Sequence, residues 1–244
     1  MGIRMCVEAT MALTVIIPSV ESTLIALDEC RAQFEPYPIL AAPQSDVLGH
    51  ALNKSRTLEL ASKVGLPTPV TVEGRSYEDL LEKAARLPFP LAVKPRGHRL
   101  YAPTAHGIDF KVRYARTLSE LQQILTSIEP HVTQVLVQQC VPGVGICVGV
   151  MACHGDLLAT FSYKRLREQP LTGGVSVLRE SIPLDLRLKS HVASLLGAMK
   201  WHGVAMVEFK YDPNADRYWL MEVNGRIQAS AALCLDAGIN FPSM

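Results

Sequence analysis

The chain has almost no net charge. Its 24 lysines and arginines face 23 aspartates and glutamates, a formal +1 over 244 residues. The basic footprint of a nucleic-acid binder is therefore missing, and no block of like charge marks a tail. The expected partners are small molecules. The six cysteines contain no CxxC spacing, and a chain of this length needs no covalent staples, so reduced thiols are expected in place of disulfides or zinc. The seven histidines add no spacing that suggests a metal cluster. No apolar run approaches the roughly 20 residues of a membrane span. In "MGIRMCVEATMALTVIIPSV" Glu8 interrupts the apolar patch and no small-residue cleavage site follows, so a cytoplasmic location is expected, with Met11 as an alternative start. Internal repeats, low-complexity stretches and any Ser-His-Asp or Cys-His signature of a protein nucleophile are also lacking.

What is present is ordinary globular composition, 48% hydrophobic and 19% charged, enough for one large domain or two small lobes. "LTVIIPS", "STLIALDECRAQF" and "PILAAP" read as strand, helix and short strand, a βα unit too small to be a domain by itself. "SDVLGHALNKSRTLELASKVG" reads as one helix stopped at Gly65. Ser76 to Asp79 and Thr117 to Glu120 are capping patterns opening two further helices. Between them "FPLAVKP" is a short apolar strand ending at Lys94, and "TQVLVQQCVPG" is another that runs into a Gly/Pro turn. "GICVGVMACHGDLLATFSYKRLRE" gives two strands meeting at His154-Gly155, followed by a long loop through "PLTGGVSVLRESI". A helix over about 186–200 precedes the last hairpin. The order of elements is α+β.

That hairpin carries the most chemistry. In "GVAMVEFKYDPNADRYWLMEVNGR" two alternating runs flank the turn cluster "DPNAD". A turn centred on Ala215 sets Glu208 across from Glu222, with Val207, Phe209, Trp219, Met221 and Val223 as an apolar back face. Facing like charges destabilise a hairpin unless something positive lies between them. A hard divalent cation meets that need, with Glu208, Glu222 and the Asn224 carbonyl oxygen as ligands. A solvated face, with Lys210 and Arg226 neutralising the glutamates, fits the residues equally well.

Lys54 before a helix, Lys94 at a strand end, "VQQCVPG", and the set Glu208, Glu222, Asn224 and Arg226 follow one another in a fixed order. This order resembles the ATP-grasp superfamily over roughly residues 47–242. It is similar in particular to the nucleotide-binding domains of the carbamoyl-phosphate synthetase large subunit and other carboxylate–amine ligases. The resemblance implies an α+β ATP-grasp fold of two α+β lobes clasping a nucleotide. The expected divisions are a partial βα segment at 1–46, an N-terminal lobe at 47–137 and a C-terminal lobe at 138–244, in a short or truncated member. ATP would lie between the lobes, its phosphates bridged to the protein by Mg²⁺ or Mn²⁺ on Glu208, Glu222 and Asn224.

By the same resemblance, Lys94 reaches the α and β phosphates as a point charge, and Lys54 is a first nucleotide lysine. Gln139, Cys140 and Val141 offer backbone groups to the adenine edge. Arg226 lies beside the transferred phosphate, where a guanidinium offsets growing charge. Taken alone, each of these positions also reads as a surface lysine or a plain strand exit. Two departures from the family pattern stand out. The loop "PRGHRLYAPTAHG" has only Gly97 and Gly107 where a glycine-rich phosphate loop is usual, leaving Arg96, His98 and Arg99 as phosphate contacts or loop decoration. No ribose ligand is assigned near Gly145.

The implied activity is an ATP- and Mg²⁺-dependent ligase that activates a carboxylate as an acylphosphate for attack by an amine or other nucleophile. The competing readings are an ATP-binding module without turnover and a plain interaction domain. Lys164, Arg165 and Arg179, around "TGG", are the candidates for gripping the acceptor, against the alternative of a surface hairpin. The loop at Gly173 and Gly174 is expected to order on ligand binding. Fold similarity does not select the substrate.

Overall fold

The computed structural model describes residues 15–33, 39–97, 111–169 and 174–243. His98, Arg99, Gly107 and Gly173 lie outside them. In chain order the main elements are β1 (Val15–Ile16), α1 (Glu21–Glu29), β2 (Ile39–Leu40), α2 (Ser45–Leu52), α3 (Lys54–Lys63), β3 (Thr71–Val72), α4 (Tyr77–Ala85), β4 (Leu91–Pro95), β5 (Arg113–Ala115), α5 (Leu118–Thr126), β6 (Val135–Gln139), β7 (Val144–Cys153), β8 (Asp156–Gln169), β9 (Val175–Ile182), α6 (Leu186–Met199), β10 (Gly203–Asp212), β11 (Arg217–Asn224) and α7 (Ala231–Asp236). The described residues fall into two compact units. One comprises the chain up to Ala51 together with Val144–Phe209 and everything from Glu222; the other comprises Leu52–Gly143 and Lys210–Met221.

The second unit is built on a four-stranded sheet in the order β3-β6-β4-β5, with α4 and α5 covering it. Both helices begin where the capping patterns place them. Ser76 Oγ accepts from Asp79 N at 3.2 Å and Thr117 Oγ1 from Glu120 N at 3.2 Å, while each acid reaches back to the backbone N–H of Arg75 or Arg116. The pairs Leu80/Ala84 and Leu121/Leu125, one helical turn apart, meet Leu91, Val93, Val135 and Val137 of the sheet in a fully buried cluster. Alternation then turns Ala92 and Lys94 of β4, with Leu136 and Gln138 of β6, to the other face.

Where the sequence suggests one helix ending at Gly65, the structure has two. Asn53 sits between them in an extended conformation (φ −126°), caps α3 through its side chain to Ser55 N and Arg56 N, and forms a bridge with Gly97. A side chain that competes for backbone N–H groups stops one helix and starts the next.

The first unit has a parallel β1-β2 pair and a five-stranded sheet in the order β11-β10-β7-β8-β9. β7 and β8 meet at His154-Gly155 as expected, both with positive φ (49° and 102°). The expected long loop after β8 is instead a strand pairing, since β9 runs antiparallel to β8 with Lys164 opposite Glu180 and Arg165 opposite Arg179. Asp185 caps α6 by accepting from Arg187 N. The core joins distant parts of the chain: Leu24 of α1, Leu48 of α2 and Trp201 are fully buried, and a Cβ added to Gly225 would lie 3.0 to 3.2 Å from all three. Only glycine fits there without displacing them. In β11, Leu220 is fully buried while Trp219 and Met221 are half-buried. The expected apolar back face is thus carried by Val207, Phe209 and Val223, and Leu220 is buried from the opposite parity.

Candidate functional site

In the first unit, β10 sets Glu208 between buried Val207 and Phe209. β11 carries Glu222 and Asn224 two positions apart, hence on one face. Asn224 Nδ2 donates to Glu208 Oε1 at 3.2 Å and to Glu222 Oε1 at 3.3 Å, so the two carboxylates converge on one point. Asn224 presents its amide nitrogen here because both carboxylates can only accept; its carbonyl oxygen, the ligand atom expected from sequence, is not the atom facing them.

Arg165 of β8 enters the same group. Its Nη2 makes a close ion pair with Glu208 Oε2, its Nε donates to Cys147 Sγ at 3.3 Å, and its Nη1 to Glu168 Oε1 at 3.4 Å. Side-chain exposures of 16% for Arg165 and 13% for Glu208 make this a largely desolvated pair, of more consequence than a surface one. Burial first and Glu222 second push the Glu208 carboxyl up to about 7, against the opposing pull of Arg165 and Arg226. Burial, with Glu208 adding to it, pushes the Cys147 thiol up to about 12. Arg226 is half-buried and donates from Nη1 to Ile227 O at 3.3 Å.

A hard divalent cation suits this donor set. Two carboxylates gather at a point where burial disfavours a second bare negative charge, and a half-turn of the Asn224 amide would bring its oxygen to them; oxygen ligands of this kind are those Mg²⁺ takes.

The second unit holds the other expected residues. Lys94 Nζ donates to Gln138 Oε1 at 2.7 Å, and Gln138, 2% exposed, passes the connection on through Nε2 to Thr71 Oγ1 at 2.9 Å. In the "QQCVPG" segment, Gln139 N donates to Val70 O (2.9 Å) and Cys140 N to Pro90 O (3.0 Å). Lys210 Nζ donates to Val141 O at 3.2 Å. Burial raises the Cys140 thiol, while Lys94 and Lys210 pull the other way. The structure thus groups Lys94, Cys140 and Lys210. Lys54 is the first residue of α3, with its N–H on Arg96 O at 2.9 Å. Arg96 binds Glu73 at 2.8 Å and Ser55 at 3.2 Å.

Of the three acceptor candidates, Arg165 joins the carboxylate group, Lys164 pairs with Glu180 at 3.3 Å, and Arg179 donates to Ser176 O at 2.6 Å. Gln138, the bond from Lys210 to Val141 and the link from Arg165 to Glu208 carry no local signal in the sequence. The first needs the β4–β6 register, and the last joins residues 43 apart.

The family described as carbamoyl-phosphate synthase L chain, ATP binding domain, matches residues 186–239, the stretch that holds Glu208, Glu222, Asn224 and Arg226. The chain is 27% identical over 218 residues to N5-carboxyaminoimidazole ribonucleotide synthase of Synechococcus elongatus, covering 88% of this chain and 50% of that protein. It is 30% identical over 186 residues to the carbamoyl phosphate synthase large chain of Thermomicrobium roseum, covering 73% of this chain and 17% of that one. The chain therefore spans about half the length of the first relative and under a fifth of the second. Its fold is similar to that of biotin carboxylase from Campylobacter jejuni, solved as a β,γ-ATP complex, with a TM-score of 0.76, 17% identity, and coverage of 98% of this chain and 55% of that one. Helix-covered antiparallel sheets and the matched carboxylate hairpin lead to one conclusion: the chain has the ATP-grasp fold and is similar in sequence to the ATP-binding domain of carbamoyl-phosphate synthase.

Proposed function

We propose that the chain binds Mg²⁺-ATP and serves an ATP-dependent ligase reaction, in which a substrate carboxylate takes the γ-phosphoryl group and an amine or other nucleophile then displaces phosphate. The observation that carries this reading is the convergence of Glu208 and Glu222 on Asn224 Nδ2, a pair of acids with no use on an ordinary hairpin face. Glu208, Glu222 and Asn224 would hold the ion, with Mn²⁺ as a substitute for Mg²⁺. A bound divalent ion supplies charge neutralisation at the phosphate oxygens.

The chain's own residues do the rest. Arg165 fixes the orientation of the Glu208 carboxylate. Lys94, steered by Gln138, places an ammonium on a phosphate oxygen, and Arg226 offsets charge that grows on the transferred group. Lys54 joins Lys94 on the nucleotide, and the adenine edge goes to the backbone groups of Gln139–Cys140–Val141 other than Gln139 N, Cys140 N and Val141 O, which are bonded within the protein. Lys164, Arg165 and Arg179 remain the set assigned to the acceptor. Positioning and charge, with no protein nucleophile, are what phosphoryl transfer requires. The proposed lobes, 47–137 and 138–244 after the 1–46 segment, follow the family pattern.

Calorimetric titration of ATP with and without Mg²⁺ tests the binding, and phosphate release across pools of carboxylate and amine pairs tests turnover. Mg²⁺-dependent affinity with release confined to particular pairs is expected. Affinity without release in any pool would reduce the protein to a nucleotide-binding module, and absence of Mg²⁺-dependent ATP binding would overturn the proposal.

A further inference from the structure

A second group of ligating side chains lies at the far end of the same sheet. Cys153 ends β7, His154 opens the tight turn into β8, and His202 sits in the connection from α6 to β10. One ligand atom from each lies within 4.8 Å of the others, and the two imidazole centroids are 4.6 Å apart. The sequence shows none of the usual metal-binding spacings, because Cys153 and His154 are adjacent and His202 comes from a distant loop. Cys153 stands six positions along the strand from Cys147, which lies against Arg165, so about 20 Å of strand divides this group from the Arg165 contact.

The backbone on both sides is fixed. Gly155 N donates to Trp201 O at 2.7 Å, and Trp201 N to Leu196 O at 2.9 Å. Trp201 is fully buried and its Nε1 donates to Val204 O at 3.2 Å. His154 adopts φ 49°, a conformation that turns of this type normally reserve for asparagine or glycine. His202 Nδ1 is buried and has no hydrogen-bond partner among the described residues. A buried ring nitrogen in that state is open to a ligand from outside the protein.

We propose that Cys153, His154 and His202 form a Zn²⁺ site that clips the β7–β8 turn to the α6–β10 connection. One thiolate and two imidazoles are borderline-soft donors that favour Zn²⁺ over Mg²⁺. In a tetrahedral Zn²⁺ site with the usual bond lengths, ligand atoms stand about 3.3–3.7 Å apart, so the present spacing, within 4.8 Å, is close to what an ion needs. Three protein ligands leave the fourth position to water or an outside ligand. His154 is exposed and Cys153 half-buried, which gives an ion access from solvent.

The test is titration of the metal-stripped protein with Co²⁺, read by its tetrahedral d–d bands and its thiolate charge-transfer band, followed by displacement with Zn²⁺. The parent should bind one Co²⁺ with both signatures and release it to Zn²⁺. Cys153→Ser should lose the charge-transfer band, which separates this site from the other thiols. His154→Asn, which keeps a residue suited to the turn, and His202→Gln should each weaken binding at least tenfold. Zn²⁺ should also raise the melting temperature of the parent more than that of any variant. The proposal is overturned if the parent shows no tetrahedral Co²⁺ spectrum, if the charge-transfer band survives in Cys153→Ser, or if the exposed-turn variant His154→Asn binds like the parent.

Discussion

Lys94 has a structural duty beside the phosphate role proposed for it. The sequence suggests a strand-end lysine with little to hold in place, yet its ammonium donates to Gln138, a side chain only 2% exposed. Lys94→Ala should therefore weaken ATP binding by about 1.5–3 kcal/mol and also lower the melting temperature, because a buried acceptor loses a charged donor. Calorimetry and thermal melts separate the two effects, and unchanged ATP affinity removes Lys94 from the site. The glutamates should behave asymmetrically. Glu222→Gln relieves a like-charge contact with Glu208 and leaves the metal-free protein equally or more stable. Glu208→Gln removes the closer of the two carboxylates paired with Arg165, leaving Glu168, and should cost roughly 1.5–3 kcal/mol. Both should abolish the Mg²⁺ dependence of ATP binding, and the double variant should add little to either, since groups acting as a unit are not additive. The carboxylate pair was legible in the sequence because both residues sit on one hairpin. The bond from Arg165 to Glu208 was not legible, because it crosses from a different strand, which no local pattern announces.

Among the elements, helix starts were the most readable. Ser76, Thr117 and Asp185 cap helices through side-chain oxygens within three residues, a chemistry contained in a short stretch of chain. The break between α2 and α3 was not readable, since Asn53 acts both as a local cap and as the partner of Gly97 on another segment. Asn53→Ala should cost about 1 kcal/mol in urea unfolding, and Asn53→Asp, which keeps the capping oxygen, much less. Equal losses in the two variants would show that the cap contributes little. Strand β9 was missed for a different reason. Val175 and Val177 are 71% and 61% exposed while Ser176 is buried at 6%, so the alternation is inverted relative to an apolar-in, polar-out strand, and the glycines before it read as loop.

At the scale of the whole molecule, the amino-terminal βα segment is part of a core and not an appendage. Leu24 and Leu48 pack with Trp201 around Gly225, and Ile227 N donates to Pro18 O at 2.9 Å. Leu24→Ala should cost about 2–5 kcal/mol and shift tryptophan emission to the red as Trp201 gains water; an unchanged melting curve and spectrum would contradict that packing. The first unit is also assembled from three separated stretches, with most of the second unit inserted between them. On a ribosome adding about 5–20 residues per second, the chain between Ala51 and Trp201 takes roughly 8–30 s to make. For most of the time before residue 201 is added, Leu24 is outside the tunnel while the tryptophan that will cover it does not yet exist. These apolar side chains are thus made well before the residue that buries them, which makes this nascent segment a natural target for a chaperone.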